Sequence, residues 1–367
     1  MSISLVQQLE AFAFWRRQLL AAPGGQELWG LEATTEAKLM NQAPLYALGG
    51  QRVDFYVEVP LLGKPQVDVS AQYFAEAFAE GNPLQDGPLS QEGAFFHYYA
   101  KELAKLKPML LNHCNLYLEA DIDDAASSHE QAEGKNVATF INLSGDFVDE
   151  LLLAVLGYRG RLRQAGVLQE LLEKLKEWCE PWHFGFMESR AAAPLRLVLF
   201  LKQGLHNLEQ ALTKINAPQI PQAGWELLQK IDALGIFKYM LDVDVLDDQM
   251  GDTIGVELIP QDAIYPAVQQ RLVQTEKFAA LMELLQQYNV ADARIDGLKK
   301  TIFAASMDAD TYIYSRISHF KLRWQRGEAL PAKAYVQLRP VQRQSCLNEA
   351  LGYVKRTVIR EEGSQHE

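Results

Sequence analysis

Ten short runs of this 367-residue chain alternate apolar and polar residues, and the runs come in pairs. The first pair is RVDFYVEVPL (52–61) with QVDVSAQYF (66–74), and the second is NLYLEADI (115–122) with NVATFINL (136–143). The third joins WHFGFMES (182–189) to LRLVLFLK (195–202), and the fourth joins FKYMLDVDV (237–245) to DTIGVELI (252–259). The last is ISHFKLRW (317–324) with AKAYVQLRP (332–340). Successive side chains of a strand point to opposite faces, so period-two alternation bounded by Gly, Pro, Asp and Asn predicts five antiparallel hairpins.

Segments of helical spacing separate the hairpins. FVDELLLAVLGY and VLQELLEKLKEW follow the second pair, and GLHNLEQALTKI and GWELLQKIDAL follow the third. AVQQRLVQTEKFAALMELLQQY follows the fourth and reads as one long helix, with Leu272, Phe278, Leu281, Leu284 and Leu285 on a single stripe. A shorter helix, SCLNEALGYVKR, is expected near the C-terminus. Strands that alternate in pairs with helices point to an α+β protein with an antiparallel sheet, not to a parallel one. A sheet of about ten strands removes its exposed edges by closing into a barrel. An open sheet, or two such domains, is the alternative.

Alternation also sorts the faces. Val53, Phe55, Val57 and Val59 oppose Asp54, Tyr56 and Glu58, while Leu116 and Leu118 oppose Tyr117 and Glu119. Late in the chain, Phe320, Leu322 and Trp324 oppose His319, Lys321 and Arg323, and Ala334, Val336 and Leu338 oppose Lys333, Tyr335, Gln337 and Arg339. Helices must cover the apolar face. In an open sheet the charged face meets water, whereas in a closed barrel it lines a lumen. Charge in a lumen costs desolvation unless water or a charged ligand compensates, which makes a binding or catalytic chamber the sharper expectation.

Composition limits the ligands. With 35 Lys+Arg against 47 Asp+Glu the net charge is −12, which excludes a general binder of nucleic-acid backbones. A local basic pocket remains compatible with that total. No uninterrupted apolar stretch reaches the roughly 18 residues of a membrane span. Three cysteines without a CxxC pair argue against a disulfide framework or zinc ribbon and for a cytoplasmic location. The chain contains no GxGxxG, P-loop, HExxH or GxSxG motif.

Five hairpins with helices outside and a polar lumen resemble the ABBA (PT-barrel) prenyltransferases, which act on indoles, other aromatics and peptides. The resemblance runs from Arg52 to the C-terminal helix. Among that group's lumenal motifs, Lys333-Ala334-Tyr335 matches Lys-x-Tyr, and Lys321-Leu322-Arg323 is similar to Arg-x-Lys with the order reversed. The resemblance implies a closed ten-stranded antiparallel barrel built from repeated ββα units. Its expected extent is residues 51–357, between an N-terminal helical segment (1–50) and a disordered tail (358–367).

The implied activity is transfer of an allylic group from a prenyl diphosphate to an aromatic small molecule, of indole or phenol type, or to a peptide side chain. Departure of the diphosphate needs cations, and Arg196, Lys202, Lys238, Lys321, Arg323, Lys333 and Arg339 are the expected cradle. Tyr56, Tyr117 and Tyr335 are expected to shield the allyl cation. Glu58 is the expected base by analogy with the group's early-strand glutamate, with Glu119 in reserve. No cofactor is required. Asp242 and Asp244 could hold Mg²⁺ with a diphosphate, or pair with neighbouring cations. Two other readings stand beside this one: another enzyme acting on a peptide or natural product in a similar barrel, and a non-catalytic ligand-binding protein.

Overall fold

The computed structural model describes residues 53–342 except 64–67, 87–88, 112, 121–136, 144–147, 189–192, 248 and 262–265, together with Glu10, Ala13, Phe14 and Arg17. The predicted tail and C-terminal helix lie outside the described residues, as does nearly all of the N-terminal segment.

The strands are β1 (Asp54–Pro60), β2 (Asp68–Phe74), β3 (Asn115–Ala120), β4 (Val137–Asn142), β5 (Cys179–Phe186) and β6 (Leu195–Leu201). They continue with β7 (Phe237–Val245), β8 (Met250–Pro260), β9 (Phe303–Ser306), β10 (Thr311–Gln325) and β11 (Glu328–Gln342). All five predicted hairpins form, and each strand of the ring is antiparallel to its neighbours. β1 pairs with β11, with Glu58 opposite Tyr335 and Tyr56 opposite Gln337, so the sheet closes into a barrel of ten strands. The eleventh strand, β9, was not expected. It pairs with Tyr312–Ser315 of β10, while Phe320–Gln325 of the same long strand pairs with β8.

Helices α1 (Ser90–Leu106), α2 (Val148–Tyr158), α3 (Ala165–Leu175), α4 (Leu205–Lys214), α5 (Gln222–Asp232), α6 (Pro266–Leu272) and α7 (Glu276–Gln287) lie between the hairpins in sequence. Their apolar stripes join the outward strand residues in one core that includes Phe55, Val57, Leu116, Leu197, Leu227 and Phe278. Each such large apolar side chain contributes about 1.5–3 kcal/mol when fully buried. Among the described residues, no helix is long and apolar enough to cross a membrane.

Two helical features depart from the sequence reading. α1 was not predicted, yet Phe95, Phe96, Tyr99, Ala100 and Leu103 form its buried face. Phe96 packs edge-on against Phe78 at 5.2 Å, and Phe95 against Phe186 at 5.4 Å. The single long helix over 267–288 is instead two helices, broken at Val273–Thr275. Thr275 has extended backbone and accepts a hydrogen bond from the Phe278 amide at 3.3 Å, while its hydroxyl donates to the Leu272 carbonyl at 2.6 Å. One side chain thus serves both helix ends, and this local bonding competes with helix continuation.

Candidate functional site

The inward positions of the strands form a cavity of about 170 Å³. Tyr56, Tyr117, Glu119, Arg196, Lys321 and Tyr335, all expected at the site, line it. Phe140, Trp182, His183, Met240, Glu257 and His319 line it as well.

Two irregularities shape the wall. In a regular strand consecutive side chains take opposite faces, and a bulge lets two neighbours share one. The pairing of β5 with β6 shifts between Pro181 and His183, and the pairing of β10 with β11 shifts between Ile317 and His319. In consequence Trp182 and His183 both reach the cavity, as do Ser318 and His319. The first bulge is pinned from β4, where the Asn142 side-chain amide donates to the Trp182 carbonyl at 2.9 Å. Gly185, opposite Phe140, leaves room for that ring, since an added Cβ would lie 2.4 Å from its edge.

Most lumenal charges meet an opposite charge. The Arg196 guanidinium donates to both oxygens of Asp244, at 2.7 and 2.9 Å. Burial opposes the Arg196 charge, but Asp244, together with Asp242 and Glu119 beyond it, outweighs burial and holds the group above its ordinary range. Lys321 contacts Asp242 and lies 3.3 Å from Glu257. Burial, then the Glu257 charge, raises the Asp242 carboxyl against the pull of Lys321 and Arg196. Gly255 makes this packing feasible, because a Cβ there would sit 3.2 Å from Lys321 Cε and 3.0 Å from the Asp242 carboxylate. Asp242 and Asp244 thus each meet a neighbouring cation.

At the seam between β1 and β11, Lys333 and Tyr335 both donate to Glu58. Burial lowers the Lys333 ammonium to about 8 and raises the Tyr335 hydroxyl well above its ordinary value. Arg339 donates to Asp54 at 2.9 Å, and the Gln337 amide donates to Asp54 at 3.1 Å. Tyr56 donates to Gln72 at 2.6 Å and stands edge-on to Tyr117, with ring centres 5.9 Å apart.

The predicted site residues therefore divide. Arg196 and Lys321 share the cavity with the three tyrosines and Glu119. Glu58, Lys333 and Arg339 belong to the seam, where Glu58 reaches the cavity through the hydroxyl of Tyr335. Arg323 is half-buried on β10 opposite Gly255. Two members of the expected cradle stand apart. Lys202 lies exposed in the turn after β6, its ammonium donating to the Lys176 carbonyl at 2.7 Å. Lys238 keeps the inward phase of β7 but is exposed near the strand's beginning. Alternation assigns a face and not a depth, so it could not tell a strand end from the chamber.

Sequence reasoning missed His183 as a site residue. Its signal was present as Pro181, which interrupts the regular pairing of the strand just before the histidine. Burial, reinforced by His319, lowers the His183 imidazole to about 3. Burial and then Lys321 do the same to His319. His319 stacks on Tyr335 at 4.1 Å.

AnaPT from Neosartorya fischeri has this architecture: its crystal structure superposes with a TM-score of 0.54, covering 90% of this chain and 93% of that one at 10% identity. The chain has the PT-barrel fold. NotF prenyltransferase aligns over 87% of this chain and 92% of its own with a TM-score of 0.44, also at 10% identity. No family model matches the sequence, and no curated protein does.

Proposed function

We propose that this PT-barrel is a prenyltransferase that moves an allylic group from a prenyl diphosphate to an aromatic small molecule or a peptide's aromatic side chain. The supporting observation is a single cavity in which Arg196 and Lys321 stand among Tyr56, Tyr117, Phe140, Trp182 and Tyr335. In this scheme the carbon–oxygen bond of the donor breaks and its electron pair leaves with the diphosphate. Arg196, held by Asp244, and Lys321, held by Asp242 and Glu257, supply positive charge to the departing anion. Aromatic faces stabilise the allyl cation by about 0.5–2 kcal/mol each. The acceptor ring supplies the electron pair of the new bond, and Glu119 takes the proton released from that ring. Glu58 acts behind the wall by holding Tyr335. No resident metal is needed, and the cytoplasmic location expected from the cysteines belongs to the same proposal.

The test pairs calorimetric binding of a dimethylallyl thiolodiphosphate with mass spectrometry of reactions. These reactions contain dimethylallyl or geranyl diphosphate and a panel of indoles, phenols and aromatic peptides. The expected product gains the mass of one prenyl group. Lys321→Met, with folding verified by circular dichroism, should lower kcat/KM by about 10²–10³-fold, the scale of losing one preorganised electrostatic contact. Folded protein that neither binds the analogue nor yields a prenylated product overturns the proposal. Binding of the acceptor panel without turnover would favour the ligand-binding alternative.

A further inference from the structure

The two cavity histidines are not equivalent. His319 has nearby polar atoms on both sides of its ring: Nδ1 is 3.1 Å from the Ser318 hydroxyl, and Nε2 is 3.8 Å from Glu257. His183 Nε2 is buried with no hydrogen-bond partner among the described residues. Its ring is held edge-on by Tyr117, with centres 5.0 Å apart, and by Trp182 at 5.6 Å. The carbonyl of Trp182 is tied to β4, so the bulge that delivers His183 is fixed from behind.

A buried polar atom without a partner costs about 1–3 kcal/mol, and native proteins keep few of them. A neutral imidazole carries one N–H and one lone pair. An orphaned buried N–H is rarer than an under-satisfied acceptor, which favours the tautomer with the proton on Nδ1 and the lone pair on Nε2. The low proton affinity of this ring keeps that lone pair available across the neutral range.

We propose that His183 Nε2 is the hydrogen-bond acceptor for the ring N–H or O–H of the aromatic acceptor, which sits against Trp182 at the β5 bulge. This rests on the aromatic-acceptor reading above and adds the group that orients the ring. His183 fixes which edge of the acceptor faces the cavity cations, and therefore which ring atom is presented to the allyl group. Its role is binding and positioning, and the proton released from carbon goes to Glu119.

The experiment compares probes that differ only in the donor: indole against 1-methylindole, and phenol against anisole, titrated by calorimetry and by Trp fluorescence. The wild-type protein should bind the donor-bearing member about three- to tenfold tighter, the range of one net hydrogen bond. His183→Phe should abolish that preference while leaving the affinity for a prenyl thiolodiphosphate within twofold. His183→Asn, which keeps an acceptor atom, should retain part of it. A preference that survives in His183→Phe overturns the inference, as does a folded wild-type protein that binds none of the four probes. If the preference behaves as expected but no prenyl diphosphate binds, the positioning role stands and the transferase reading falls.

Discussion

The seam where β1 meets β11 and the bulged wall formed by β5 are both lumenal and both polar, yet they are built on opposite terms. At the seam Glu58 is held by Lys333 and Tyr335, and Asp54 by Arg339 and Gln337. At the bulge His183 presents a buried nitrogen that has no hydrogen-bond partner among the described residues. Polar groups that satisfy one another close the barrel, whereas a polar group left open offers a place for a ligand. Lumenal position alone does not separate structural residues from functional ones. Hydrogen-bond saturation separates these two regions, although Arg196 and Lys321 are paired and still line the cavity.

The strongest way to break the comparison is to unpair the seam. Glu58→Ala leaves a half-buried lysine and a buried tyrosine hydroxyl without their acceptor, and should cost about 3–5 kcal/mol in urea unfolding. Replacing both ionic partners, Glu58→Met with Lys333→Met, should recover at least half of that loss. A Glu58→Ala variant as stable as the parent would show that the seam does not hold the barrel closed.

A smaller effect should appear in acid. The ordinary histidine value is 6.5, and His183 and His319 are each lowered to about 3 in the folded chain. The unfolded chain therefore binds more protons between these values. The stability contribution is fully present above about 6.5 and is lost as pH falls toward about 3. Thermal melts between pH 7 and pH 4 should flatten in His183→Phe and again in His319→Phe. An unchanged slope in both would mean that neither ring is sequestered.

The smallest effect is expected away from both regions. Lys202→Ala and Lys238→Ala should each change stability by no more than about 0.5 kcal/mol, as at ordinary surface sites. Binding of the thiolodiphosphate should stay within twofold. A tenfold loss in either variant would return that lysine to the cradle.

Much of the barrel was legible because period two is a strong signal. β7 spans Phe237–Val245, the same residues as the alternating run, and the inward phase of Tyr56, Tyr117, Lys321 and Tyr335 followed directly. α1 was missed because its aromatic residues at 95, 96, 98 and 99 favour strands as readily as helices, and burial against Phe78 and Phe186 settles the matter. The break at Thr275 was hidden because apolar residues continue on both sides of it. The charges were harder still. An acidic early wall and a basic late wall suggested a polarised chamber, but closure brings β1 onto β11, so Asp54 meets Arg339 across 285 residues of chain.

The sequence by itself determined that strands pair, that helices follow them and which side chains point inward, because these follow from backbone geometry repeated every two or every few residues. Tertiary structure alone decided which inward charges meet, where bulges turn a second residue into the lumen, and which polar atom stays open. Those outcomes depend on register and closure between distant strands, and a bulge or a shift of one residue reverses the face that a side chain takes.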